Sequence, residues 1–355
     1  MKPSAFSLQH SAFSNRHSRR ARRGVSLLEV LISIFVILGG MLGVAALLPV
    51  GRYEMSMCLR ADRAGNAGRA ALRDAQVRGM LDPNAWCWYG GQMTPPLDMP
   101  VAIDPLGWAA NLGTVFPVKP PNQVVLSMPR VTLKSFVDTS LPQPLLFERA
   151  RVLADRIFTL QDDLVFDYPS EKTLRPRLLL RYVDGSTGTN LSPSAATAVR
   201  ENKYSWMMTV VPAESEYDAS ADGRKLYTLS AVVFYARQLT ADGEGTCDVD
   251  RASLGPLIGG GDVVLVGADA VEVKTGEWIL LRGVKGLGRR PMYQFKWYRV
   301  IAADEFNPTA FNGRGGRRLT LAGPDWTDIA SCQVLQAGVL PGAIGVYTET
   351  VELER

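Results

Sequence analysis

Arg19-Arg20-Ala21-Arg22-Arg23-Gly24-Val25-Ser26-Leu27-Leu28-Glu29, continued without another charge by Val30 to Gly51, is the stretch that fixes the reading of everything after it. The 22 residues from Val30 to Gly51 carry no charge. As a helix they extend about 33 Å, close to the roughly 30 Å hydrocarbon core of a bilayer. A core helix of a soluble domain rarely stays apolar on every face for that length, so the spacing predicts a membrane span. A secretory signal peptide has a shorter apolar region, about 7–15 residues, with its small cleavage residue on the far side. Here the small residue, Gly24, precedes the apolar run.

Glu29 is the odd residue in this stretch. A lone carboxylate at the edge of hydrocarbon is costly, about 2.5–3.5 kcal/mol on insertion scales for the related Asp, and needs a partner. Cleavage after Gly24 would create a positive amine at Val25, one helical turn away, as the counter-charge within a subunit or between neighbours. At these residues the chain resembles the prepilin family, the type IV pilins and the pseudopilins of type II secretion. That family has a basic leader ending in Gly, an apolar segment, and Glu at the fifth position after the Gly. Arg22, Arg23, Gly24, Ser26, Leu27, Leu28 and Glu29 follow the pattern, and Val25 stands where the family most often has Phe. The resemblance covers about Arg19 to Val50. It implies cleavage after Gly24 by a membrane prepilin peptidase, N-methylation at Val25, and Glu29 as the residue of assembly. It also implies as partners other pilin or pseudopilin subunits, an inner-membrane assembly platform and membrane lipid.

Net charge misleads until the leader is set apart. Lys2, Arg16, Arg19, Arg20, Arg22 and Arg23 give residues 1–24 six bases and no acid; beyond them 33 basic and 35 acidic side chains remain, near −2. No nucleic-acid partner is expected from charge. Both histidines, His10 and His17, also lie in residues 1–24, so the remaining chain has no Ser-His or Cys-His pair and no histidine ligand for a metal. Neither enzymatic activity nor a cofactor is expected. Six bases without an acid before the span, against six Arg offset by Glu54, Asp62 and Asp74 between Arg52 and Arg78, place the leader in the cytoplasm by the positive-inside rule. The bulk of the chain then faces the periplasm or exterior. Cys58, Cys87, Cys247 and Cys332 show no Cys-x-x-Cys spacing for zinc. They are spaced to bridge as Cys58–Cys87 or Cys247–Cys332, or to stand as separate buried thiols.

After the span, Pro49 and Gly51 are expected to bend or soften the helix. Met57, Ala61, Ala64, Gly68, Ala71 and Ala75 then recur at alternating intervals of four and three, a face of almost entirely small side chains suited to lying on a sheet. Asp82-Pro83-Asn84 ends the helix near Leu81. Residues 85–121, rich in Pro, Gly and Trp, read as a long packed loop. Strands are predicted at Val124–Met128, Leu178–Val183, Trp206–Val211 and Tyr227–Leu239, with a helix at Phe147–Leu160, together an antiparallel sheet in an α+β head.

Asp242, Glu244, Asp248 and Asp250 offer oxygens for a hard cation, but their spacing is not that of an EF-hand loop, and a solvated acidic turn is expected. Gly259-Gly260-Gly261 lacks the Lys and Ser/Thr of a phosphate loop. Strands at Val263–Val266, Glu277–Arg282, Phe295–Ala302, Arg317–Leu321 and Ala343–Glu352 predict a C-terminal all-β module, a small barrel or open sheet of its own. Gly313-Arg314-Gly315-Gly316-Arg317-Arg318, with Lys285, Arg289 and Arg290, is read as exposed turn arginines. The sequence therefore divides into a leader at residues 1–24, a transmembrane and spine helix at 25–81, an α+β head at 82–250 and a β-rich module at 251–355. The competing readings are a membrane-anchored periplasmic binding module that never polymerises and an anchored enzyme, which the lack of histidine disfavours.

Overall fold

The structure, a computed structural model, describes residues 26–88, 99–118, 126–138, 140–160, 180–182, 198–200, 204–212, 225–286 and 292–353. Two compact units divide the chain, Met1–Met57 and Cys58–Arg355. The expected leader, residues 1–24, lies outside the described residues.

In the first unit the described residues are the first part of helix α1 (Leu27–Val77). Every residue from Ser26 to Met55 is exposed, and the most apolar window has a mean hydropathy of 2.6 with none of it buried. Length and composition suffice to cross a membrane. The helix runs through Pro49 and Gly51 without ending. The proline removes the bond that an N–H there would have given the Ala45 carbonyl, and its ring crowds that carbonyl.

Within the second unit α1 becomes one-sided. Ala64, Ala67, Gly68, Ala71 and Ala75 are buried, so the small-residue face is the packing face; Met57 and Ala61, counted on it from spacing, are exposed. The helix stops at Val77, four residues before the expected Leu81. Gly79, at φ +63°, takes the left-handed position after the last turn; its N–H donates to Gln76 O (3.3 Å) and the Met80 N–H to Ala75 O (2.9 Å), the paired bonds of a Schellman ending. Met80 is then fully buried beneath the helix end.

That face lies on a seven-stranded sheet ordered β1 (Trp86–Cys87), β4 (Met128–Leu133), β2 (Val101–Ile103), β7 (Tyr204–Pro212), β8 (Lys225–Tyr235) and β15 (Ala343–Leu353), with β3 (Val115–Phe116) beside β4. The pairing is antiparallel except between β2 and β4, so the sheet is mixed rather than purely antiparallel as expected. The stretch read as a loop over 85–121 holds β1, β2, β3 and the short helix α2 (Pro105–Ala109). Helix α3 (Gln143–Phe158) buries Ala150, Ala154 and Phe158, and the Phe158 ring meets Trp206 at 4.1 Å between centroids. A separate two-stranded pair joins β5 (Leu180–Tyr182) and β6 (Ala198–Arg200).

Both faces of the sheet are covered. Along β7, Trp206, Met208 and Val210 face the helices, whereas Met207 and Val211 face the other way and pack with Leu280, Phe295 and Trp297. Those last three belong to a closed six-stranded barrel, ordered β10 (Gly260–Val266), β13 (Gly316–Ala322), β12 (Met292–Ala303), β11 (Trp278–Lys285), β14 (Val334–Val339) and β9 (Gly245–Val249), antiparallel throughout. Its interior is filled by side chains such as Val263, Leu265, Leu281, Tyr298 and Leu319, with Trp326 buried at one end. The all-β module is thus a barrel, and two expectations about it change. β9 and β14 join it unpredicted, and the strand expected at Ala343–Glu352 leaves it to pair with β8. The glycine run at 259–261 has a packing reason: a Cβ on Gly260, at φ +128°, would stand 2.0 Å from Leu321 O in the neighbouring strand.

Candidate functional site

The start of α1 carries the first candidate site. Ser26 precedes the helix and its Oγ accepts a hydrogen bond from the Glu29 N–H at 3.2 Å, the serine half of a capping box with glutamate at the third helical position. Glu29 is the only acid in the first turn, where the positive end of the helix favours a carboxylate. The structure therefore brings Ser26 and Glu29 together. Arg22, Arg23, Gly24 and Val25, expected beside them, lie outside the described residues.

The second polar centre was not read from the sequence. Asp104, Arg130, Arg237 and Glu244 form a buried, neutral ring of ion pairs where the sheet meets the barrel. Asp104 caps α2 by accepting from Gly107 N (3.0 Å), with Pro105 following at the first helical position. Its carboxylate also accepts from Arg130 (2.8 Å) and from both terminal nitrogens of Arg237 (2.8 and 2.7 Å). Glu244 accepts from Arg130 (2.5 Å), Arg237 (3.1 Å) and the Val118 N–H (3.0 Å). Burial pushes the Asp104 carboxyl up, but Arg237 and Arg130 outweigh it and hold the group at about 2. Burial likewise works against the charge of Arg237, and Asp104 and Glu244 together raise its pKa above the ordinary value. Every acid here has two cationic partners, which makes the ring a clamp rather than a source or sink of protons. The expected solvated acidic turn is thereby corrected for Glu244, which is 3% exposed.

On the barrel's outer wall, Arg282 is fully buried. It donates to the Leu126 carbonyl and to Thr246 Oγ1 (3.2 Å), while Gln336 Oε1 accepts from the Leu126 N–H (2.9 Å). Burial lowers the guanidinium to about 9, partly opposed by Cys247 and Asp248, so it stays charged at neutral pH. Burial also pushes the neighbouring Cys247 thiol up to about 12. Cys58 is exposed and Cys87, Cys247 and Cys332 are buried; no disulfide joins any of the four.

The arginine-rich turn stays at the surface as expected, with its charges engaged. Arg314 meets Asp248, Arg318 meets Asp262 at 2.6 Å, and Arg317 donates to the carbonyls of Val273 (2.7 Å) and Asp304 (2.6 Å). Lys285 pairs with Asp328. Arg289 and Arg290 lie outside the described residues. Among the described residues no three His, Cys, Asp or Glu side chains stand together as a metal site. Comparison of the chain with models of protein families, with characterised proteins and with solved structures finds no match.

Proposed function

We propose that this protein is a type IV pilin-like minor pilin or pseudopilin. In this reading it is inserted in a bacterial inner membrane with residues 1–24 cytoplasmic and the head periplasmic, or extracellular in a filament. Prepilin peptidase reads Arg22 and Arg23, cleaves after Gly24 and methylates the Val25 amine. The apolar spans of neighbouring subunits then pack in the filament core, recruited by the inner-membrane assembly platform, and Glu29 pairs with the Val25 amine of an adjacent subunit. The protein has a structural part in secretion or pilus assembly and no catalytic residue of its own.

The observation that supports this reading is the junction at Gly24. A basic leader and a Gly stand directly before a helix that is exposed and apolar on all sides, with its single early carboxylate at Glu29. The size of the head favours a minor rather than a major subunit. The alternative is an anchored periplasmic module that never polymerises; the cap at Ser26 engages only the Glu29 backbone N–H, so it assigns the carboxylate to neither reading.

Intact mass and amino-terminal sequencing of the protein from native membranes, beside a Gly24→Ala variant, test the proposal. A chain starting at N-methylated Val25, lost in the variant, is the expected result. A native chain that retains residues 1–24 would sink it. Glu29→Ala separates the two readings, because it abolishes incorporation into filaments only if the carboxylate pairs between subunits.

A further inference from the structure

Where the barrel stands against the sheet, the facing walls leave a cleft of about 570 Å³. One wall, from β11 and β12, presents the rings of Trp278, Tyr293 and Trp297; the other, from β8 and β15, presents the hydroxyls of Thr228, Ser230 and Thr348. Trp297 is fixed in place, its indole N–H donating to Thr209 Oγ1 at 3.0 Å, while Trp278 and Tyr293 are only half-buried and keep ring surface toward the opening. Ser230 and Thr348, opposite each other across the β8–β15 ladder, share a hydrogen bond of 3.1 Å. Two residues along β8, Thr228 stands on the same side of the strand.

Charge is what narrows the ligand. The charged residue of the lining, Lys296, donates its Nζ to the Asp325 carbonyl at 2.9 Å and lies 5.4 Å from the Trp326 ring centre, so it is already occupied. Among the described residues the rest of the lining is neutral, with aromatic faces on one side and hydroxyls on the other. A cation brought here would lose water without gaining a counter-charge, and an anion would have only Lys296, whose Nζ is already bonded to the Asp325 carbonyl. A pyranose ring matches both walls. Its C–H face, slightly positive, suits the negative face of an indole or phenol, and its hydroxyls can both donate to and accept from Ser and Thr. The volume lies in the roughly 300–1,000 Å³ range of small-ligand sites, which favour such boundaries between two packed bodies.

We propose that this cleft binds a neutral glycan along its length, with separate pyranose rings lying on Trp278 and on Tyr293, which stand six ladder positions apart in the β11–β12 register, and with hydroxyls directed to Thr228, Ser230 and Thr348. The inference does not depend on filament assembly. It is tested by titrating the full-length protein, held in a detergent without a sugar headgroup, with chitotriose, cellotriose and maltotriose, following tryptophan fluorescence and heat. At least one trisaccharide is expected to bind with a dissociation constant in the millimolar range or below. Trp278→Ala is expected to weaken it about tenfold, the upper end of what one aromatic contact contributes. Trp278→Phe should retain most of the affinity, and the near-isosteric Thr228→Val should lower it with an unchanged melting temperature. No binding of any of the three at millimolar concentration would overturn the proposal. So would binding that ignores both Trp278→Ala and Thr228→Val, or stronger binding of a sulfated trisaccharide or of a peptide at the same residues.

Discussion

Gly68 offers the sharpest test of how α1 meets the sheet. A Cβ placed there would lie 1.9 Å from Tyr347 Cδ2, 2.5 Å from Cε2 and 2.6 Å from Cγ, within the body of the ring rather than against its tip. The same ring lies close over Gly345 and Gly65, where an added Cβ would stand 3.0 Å from its Cε2 and 3.4 Å from its hydroxyl. Gly68→Ala therefore carries an overpacking cost of about 2–3 kcal/mol, against a gain of about 1 kcal/mol from replacing glycine inside a helix. The expected net loss is about 1–2 kcal/mol. In a Tyr347→Ala background the obstruction is gone and only the helical gain remains, so the same substitution should stabilise by about 1 kcal/mol. Urea unfolding of the four proteins of this cycle, in detergent and followed by tryptophan fluorescence, measures the reversal of sign. A midpoint that is unchanged or raised by Gly68→Ala in the native background would refute the reasoning. A loss that persists unchanged beside Tyr347→Ala would do the same.

Other outcomes follow from the buried charges and thiols. The Asp104 pKa is depressed in the folded protein from the ordinary 3.8 to about 2. Its contribution, on the order of 2 kcal/mol, is thus complete above about pH 4 and disappears as pH falls toward 2; acid unfolding should lie in that window, and Arg237→Met should move it to higher pH. Thiol titration at pH 8 with an aromatic disulfide reagent should modify Cys58 rapidly. Cys87, Cys247 and Cys332 should react only after denaturant is added, since all three are buried and Cys247 titrates near 12. Rapid modification of two or more thiols in the native protein would contradict the burial of Cys87 in the sheet or of Cys247 and Cys332 in the barrel core.

The elements legible in the sequence are those whose signal is local and long. The uncharged run from Val30 to Gly51 and the alanine-glycine face of α1 each repeat over many turns, and β7, β8, β10 and β12 are rich in β-branched or aromatic residues. β2 escaped because three residues, Val101 to Ile103, are too short for any alternation, although they occupy the middle of the sheet and pair parallel to β4. β14, with Gln336, Ala337 and Gly338, carries little strand preference of its own and is held by two neighbours. The ion-pair ring was hidden for a different reason. Glu244 sits among acids in sequence, and nothing local reveals that Arg130, 114 residues earlier, comes to it. Arg237 is only seven residues away, but its pairing depends on the turn between them being buried rather than solvated. At the start of α1, the Ser26–Glu29 spacing was visible as Ser-x-x-Glu, a capping signal that the membrane reading of the same residues overshadowed.

The strand that completes the sheet comes after the whole barrel in the chain. β8 and β15 are hydrogen-bonded along their whole length, and the chain departs at Tyr235 and returns at Gly342 with the Tyr235 N–H on the Gly342 carbonyl at 2.8 Å. The barrel is therefore an insert in a hairpin, with its two ends held side by side. During synthesis it can fold as soon as Val339 has emerged. The sheet must wait for residues up to Leu353, and the packing of Gly68 against Tyr347 must wait with it. A nascent chain stalled before β15 would leave one edge of β8 bare and the small-residue face of α1 without its tyrosine. Its barrel would be finished while its head stayed open.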